Sequence, residues 1–194
     1  MNRLRLFALV AAAAALAGSA NPARAGLLPV SVTVTPDAGN FRWTYGIVLP
    51  TDSQLRTGDY FTIYDFNGLI PGSLVQPDGW KSTIANLGPT PRGLNPHDDP
   101  LIPNLTWTYT GPTVPSGQIG LGNFWAISQY GSQKDSFFTA TTHRTSDGKV
   151  DTNITETIVP VPAGPTPAAP EPATLALAAL GLPVAGIALR RRRS

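Results

Sequence analysis

Between Gly26 and Val159 the chain changes between apolar and polar residues with a short, regular beat. Val30, Val32 and Val34 alternate with Ser31, Thr33 and Thr35. Phe41, Trp43, Tyr45, Ile47 and Leu49 alternate with Arg42, Thr44, Gly46 and Val48. Leu105, Trp107 and Tyr109 alternate with Asn104, Thr106 and Thr108. A period of two places successive side chains on opposite faces, which marks a strand with one face buried. Residues 60–66 are apolar or aromatic on both faces, which predicts a central strand. Further strands are expected at 81–85, 124–130, 136–144 and 150–159, and no stretch of the body has the 3.6-residue period of an amphipathic helix.

Turn chemistry separates these runs. Pro36-Asp37-Ala38-Gly39, residues 68–72, Pro77-Asp78-Gly79 and residues 88–103 are rich in Gly and Pro, the residues that fix or free the backbone at turns. Asp147-Gly148 lies between two Thr-rich strands and predicts a hairpin closed by a type I′ turn, whose two central residues both need positive φ. Eight short strands in about 135 residues predict one β-sandwich of jelly-roll type. Trp43, Phe61, Trp107, Phe124 and Phe138 are among the aromatics available for its core.

Composition narrows the chemistry. The 194 residues include 20 Pro and 19 Gly, which suits strands and turns better than helices. Cysteine is absent, so thiol nucleophiles, Cys-ligated zinc, iron–sulfur centres and disulfide staples are all excluded. The positive formal charge is misleading, because it sits at the ends: Arg3, Arg5 and Arg24 at one, Arg190, Arg191, Arg192 and Arg193 at the other. Residues 26–169 carry seven basic and eleven acidic side chains, a net charge of −4. The body therefore has no basic footprint for nucleic acid.

Both ends are targeting segments. Asn2-Arg3-Leu4-Arg5 is followed by an uncharged apolar run over residues 6–17 and then by Ala23-Arg24-Ala25. This is the build of a secretory signal peptide read by the Sec export machinery, with removal expected after Ala25 and, as the alternative, after Ala20. At the other end, Pro160, Pro162, Pro165, Pro167, Pro170 and Pro172 predict a stiff extended spacer of about 40 Å that neither pairs in a sheet nor continues a helix. Residues 173–189 carry no charge. As a helix they would span about 26 Å, the short end for crossing a bilayer. Arg190 to Arg193 then form a stop that stays cytoplasmic.

Pro170-Glu171-Pro172, the Ala173-Thr174-Leu175-Ala176-Leu177 that follows, the Gly-containing apolar stretch and the Arg cluster together resemble the PEP-CTERM sorting signal. The order of parts makes the likeness specific, since the tripeptide alone means nothing. The resemblance implies an exosortase-type membrane enzyme as partner, transient residence in the inner membrane, then the cell surface or an extracellular matrix of exopolysaccharide or biofilm. A plain single-span anchor is the alternative. Two blocks of the body, residues 58–66 and 98–111, are similar to blocks in uncharacterised proteins with the same tail, which carries no activity over.

Candidate chemistry in the body is sparse. His97 and His143 are the only histidines, and no Gly-x-Ser-x-Gly elbow occurs. Without a nucleophile, base and orienter to start from, a non-enzymatic domain is expected. Asp98 and Asp99, beside His97, form a weak candidate for calcium, in a sequence with no EF-hand pattern. Trp80, Trp107 and Trp125 could stack on sugar rings; Trp80, just past a turn, is the best placed to be exposed. Asn104-Leu105-Thr106 and Asn153-Ile154-Thr155 match the glycosylation pattern, as Thr-rich strands do by chance. No cofactor is expected.

The expectation is thus an all-β chain: signal peptide over 1–25, a single sandwich over 26–159, a Pro-rich spacer over 160–169 and a sorting signal over 170–194. The first and last of these would be helical in the membrane. The function expected is a sorted surface or matrix protein of structural or adhesive kind. A carbohydrate- or calcium-binding surface module is the alternative.

Overall fold

A computed structural model of the chain describes residues 26–164. Those residues form nine antiparallel strands: β1 (Leu28–Asp37), β2 (Asn40–Leu49), β3 (Ser53–Gln54), β4 (Tyr60–Ile63), β5 (Trp80–Ala85), β6 (Asn104–Tyr109), β7 (Ile119–Ser128), β8 (Ser132–Arg144) and β9 (Val150–Val161). They make two sheets. The smaller has the order β1-β2-β7; the larger runs β3-β8-β4-β6-β5, with β9 on the other edge of β8. The two sheets pack face to face as a sandwich, and the chain crosses between them after β2, after β6 and again after β7.

Alternation decides what faces inward. Along β2, Trp43, Tyr45, Ile47 and Leu49 are buried, while the residues between them are half-buried. Facing them from the large sheet are Phe61 and Ile63 of β4, Leu105 and Trp107 of β6 and Phe138 and Ala140 of β8, all fully buried. Phe61 is the hub. Its ring stacks on Trp107 and Phe138 at centroid distances of 5.2 and 5.3 Å and meets Trp80 and Phe124 edge-on at 5.5 and 4.9 Å. Edge-on and offset contacts suit the ring quadrupole, so the cluster gains more than its buried area alone.

Every strand expected from the pattern is present, and β4 is central between β8 and β6. It is shorter than the apolar run because Asp65 turns the backbone to a φ of 58°. The two-residue β3 went unforeseen, being too short for any periodicity.

Two expectations need correction. The β8–β9 hairpin exists, but only Gly148 in it takes positive φ, at 68°. The loop is longer than two residues: Gly148 N–H reaches Arg144 O and Arg144 N–H reaches Lys149 O, each at 2.9 Å. Its tip is held by Thr145, whose N–H and hydroxyl both donate to Asp52 O. The pair of positive φ values falls instead at Ala38 (49°) and Gly39 (85°), between the matched residues Asp37 and Asn40 of the β1–β2 hairpin.

The second correction concerns the proline spacer. Pro160 and Val161 belong to β9 and pair with Gln133 and Ser132. β9 pairs with β8 alone, so a proline there can turn its donor-less nitrogen away from the ladder, as edge strands allow.

Candidate functional site

The residues singled out in the body take up structural positions. Trp80 is 7% exposed, with its ring against Phe61, Tyr109 and Phe124. It is thus part of the core and not a sugar platform, because the turn before it delivers it inward at the head of β5. Trp107 is fully buried. Trp125 alone of the three reaches the surface, on the outer face of the small sheet, where the Arg42 guanidinium sits 4.3 Å from its ring centroid. Arg42 is in turn anchored by Asp37, whose carboxylate accepts from Nε at 2.9 Å and Nη2 at 2.6 Å.

The Asp98-Asp99 pair is likewise occupied. Asp98 Oδ1 accepts from Asn104 Nδ2 at 2.8 Å, and Asp99 Oδ1 accepts from Leu101 N–H at 3.0 Å. Asp99 N–H donates to Asp65 Oδ1 at 2.9 Å, and Asp65 N–H donates to Asn104 Oδ1 at 2.8 Å. These bonds pin the 86–103 connection to the corner after β4. The carboxylates face Asn104 and the loop backbone, and among the described residues no group of three or more His, Cys, Asp or Glu side chains stands together. Burial pushes the Asp65 carboxyl above its ordinary range. The Asp99 N–H opposes the push and the nearby Asp98 adds to it.

His143, one of the two histidines, has a partner. Its Nδ1 lies 3.1 Å from Asp59 Oδ1 and 3.2 Å from Oδ2, and Asp59 is 2% exposed. Asp59 Oδ2 also accepts the N–H of Arg56 at 2.7 Å. Burial raises the Asp59 carboxyl, against the pull of these two bonds. A carboxylate on Nδ1 is the orienting half of a hydrolytic triad. Across the sheet, His143 pairs in register with Gln54 and Val150. What the pair does here is fix the turn between β3 and β4 to the outer face of β8. Only the fold could reveal it, since 84 residues separate the partners.

Two shallow grooves lie elsewhere. One, of about 360 Å³, runs along the junction of β1 and β9 and is lined by Val30, Val32, Asp135, Glu156 and Ile158 among others. The other, of about 350 Å³, lies over Val30, Gly46, Val48, Gly122 and Asn123. Neither presents an aromatic ring, so neither offers a stacking surface for sugars. Asn104 and Asn153, the two glycosylation matches, are buried in the sandwich.

The signal-peptide residues Ala23 and Ala25, the membrane helix expected at 173–189, and the tail residues Pro170, Glu171, Pro172 and Arg190 to Arg193 lie outside the described residues. Comparison with protein families supplies what the geometry does not. A β-sandwich followed by a C-terminal sorting segment defines the class: a protein exported to the cell surface. The segment is the PEP-CTERM protein-sorting motif, matched over residues 168–193. This motif is the one recognised by exosortase, a membrane enzyme, and it implies export to the cell surface. No curated protein matches the chain.

Proposed function

We propose that the sandwich is a non-enzymatic structural or adhesive cargo, carried through the inner membrane by its two targeting ends and released into, or displayed on, an exopolysaccharide or biofilm matrix. The observation that carries this reading is the sorting motif at residues 168–193. It is supported by the body's chemistry: the acids and histidine that could have made a site are engaged in holding turns and loops. An exported domain without disulfides must rest on its core, and the aromatic cluster around Phe61 supplies one. Two of the three tryptophans that a carbohydrate-binding reading needs are in that core.

The test is the intact mass of the protein recovered from its exporting host, compared with a variant carrying Pro170→Ala, Glu171→Ala and Pro172→Ala. Loss of the C-terminal segment in the parent and its retention in the variant is the expected result. An intact tail in both would leave a plain single-span anchor and remove the sorting route.

A further inference from the structure

One patch of the sandwich is chemically incomplete. On the inner face near the β8–β9 end, Thr142 is fully buried and its Oγ1 has no hydrogen-bond partner. Asn153 is 8% exposed and its Oδ1 is also unpartnered. The amide is not free to turn round, because its Nδ2 donates to Leu27 O at 2.9 Å. Asp151 shares that face of β9, two residues along from Asn153 and directly opposite Thr142 in the register. It is 4% exposed, its Oδ1 accepts the N–H of Thr152 at 3.1 Å, and no Lys or Arg pairs with it among the described residues. Three buried side chains therefore present oxygen acceptors, one of them able to carry a full negative charge. Buried groups of this kind are costly unless a donor, and for the carboxylate a cation, reaches them.

The chain segment at this patch is Gly26-Leu27. Both residues are buried. A Cβ placed on Gly26 would overlap Asn153 Oδ1 and lie 3.5 Å from Thr142 Oγ1. Only glycine can bring its backbone this close, so the Gly26 main chain is held directly against the unpartnered oxygens. Gly26 is also the residue that follows Ala23-Arg24-Ala25. Hydrolysis of the Ala25–Gly26 peptide bond consumes one water, leaves a carboxylate on Ala25 and frees the nitrogen of Gly26 as an amine. At neutral pH that amine is largely an ammonium with three donors and a positive charge.

We infer that the α-ammonium created at Gly26 by signal-peptide removal docks on Thr142, Asp151 and Asn153, so that processing completes the buried corner of the sandwich. The ammonium is matched to the patch in both number and charge: it provides donors for the two orphan oxygens and the cation for Asp151. The precursor, with an amide at the same position, has one donor and no charge to give. The inference depends on the export reading only through the position of the cut.

The test uses the exported protein. N-terminal sequencing should begin at Gly26. A start at any other residue would overturn the inference and would leave the tail experiment untouched, so the two failures are distinguishable. A serine inserted between Ala25 and Gly26 keeps the recognition residues and moves the amine one residue outward. It should lower the Tm by about 3–6 °C. Asp151→Asn should lower the Tm in the parent and have little further effect in the insertion form, because the partner has already been lost. Additive losses would show that Asp151 and the amine do not interact. Thr142→Val gives an independent sign. If its hydroxyl is an orphan, the apolar isostere stabilises or leaves the Tm unchanged; if it receives the ammonium, the Tm falls. A rise in Tm with Thr142→Val, or no change, would overturn the docking.

Discussion

The middle of the large sheet, where β4 lies between β6 and β8, is buried on both faces, and the two faces are built differently. Inward, β4 presents Phe61 and Ile63 to a core of rings and branched aliphatics. Outward, Thr62 of the same strand and Tyr64 just past its end face the 86–103 connection, which lies over them. There the contacts are hydrogen bonds. Thr62 Oγ1 pairs with Thr106 Oγ1 at 2.9 Å, and the Tyr64 hydroxyl lies 3.1 Å from Pro89 O, 3.0 Å from Thr90 Oγ1 and 3.1 Å from Thr139 Oγ1. Thr62, Thr139 and Tyr64 are all fully buried. The inner face needs only apolar groups of the right volume. The outer face needs each hydroxyl at the right place, because a buried hydroxyl without a partner costs free energy. An apolar core thus tolerates approximate chemistry, whereas a polar cover requires a specific loop.

Removing the hub of the inner face should have the largest effect. Phe61→Ala deletes a ring that touches four others and should cost about 3–5 kcal/mol in chemical denaturation. A loss under about 1 kcal/mol would mean the cluster is not the stabilising centre of the sandwich. On the outer face, Tyr64→Phe keeps the ring and removes the hydroxyl that joins the cover to β8. The expected cost is about 1–3 kcal/mol, and limited proteolysis should cut more rapidly within residues 86–103. Equal proteolysis of parent and variant would separate the hydroxyl from the seating of the connection.

The smallest effect concerns pH at the corner where the cover begins. Asp65 has its carboxyl raised by burial, so the folded chain holds that proton more tightly than the unfolded chain. Its contribution to stability is full below the unfolded value of about 3.9 and is lost as pH rises through the raised folded value. Asp65→Asn keeps an oxygen for the Asp99 N–H and tolerates the left-handed backbone. The parent should therefore lose ground against Asp65→Asn as pH rises from about 4 through the raised folded value, when their Tm values are compared. A constant difference across that range would remove Asp65 as the titrating group.

The strand pattern was legible because three of the runs alternate over six or more residues, and alternation is a local property. The same locality explains the misses. Trp80 sits beside a turn and reads as exposed until the ring cluster around Phe61 closes over it. Asp147-Gly148 has the residues of a two-residue turn. The bonds from Thr145 to Asp52, 93 residues away in the chain, hold its loop in a longer form. Pro160 reads as a strand breaker until β9 is known to be an edge.

The sequence by itself determined the C-terminal sorting motif, the absence of thiol chemistry and the succession of strands, because all three are written in the order or kind of residues: a tripeptide, apolar run and Arg cluster, a composition, a period of two. Tertiary structure alone decided which side chains meet. His143 found Asp59, Tyr64 found Thr139, and Asn153 came to lie against Gly26, each across more than 70 residues of chain. Such meetings depend on strand order and register, which are settled by the packing of the whole sandwich and by no single segment of it.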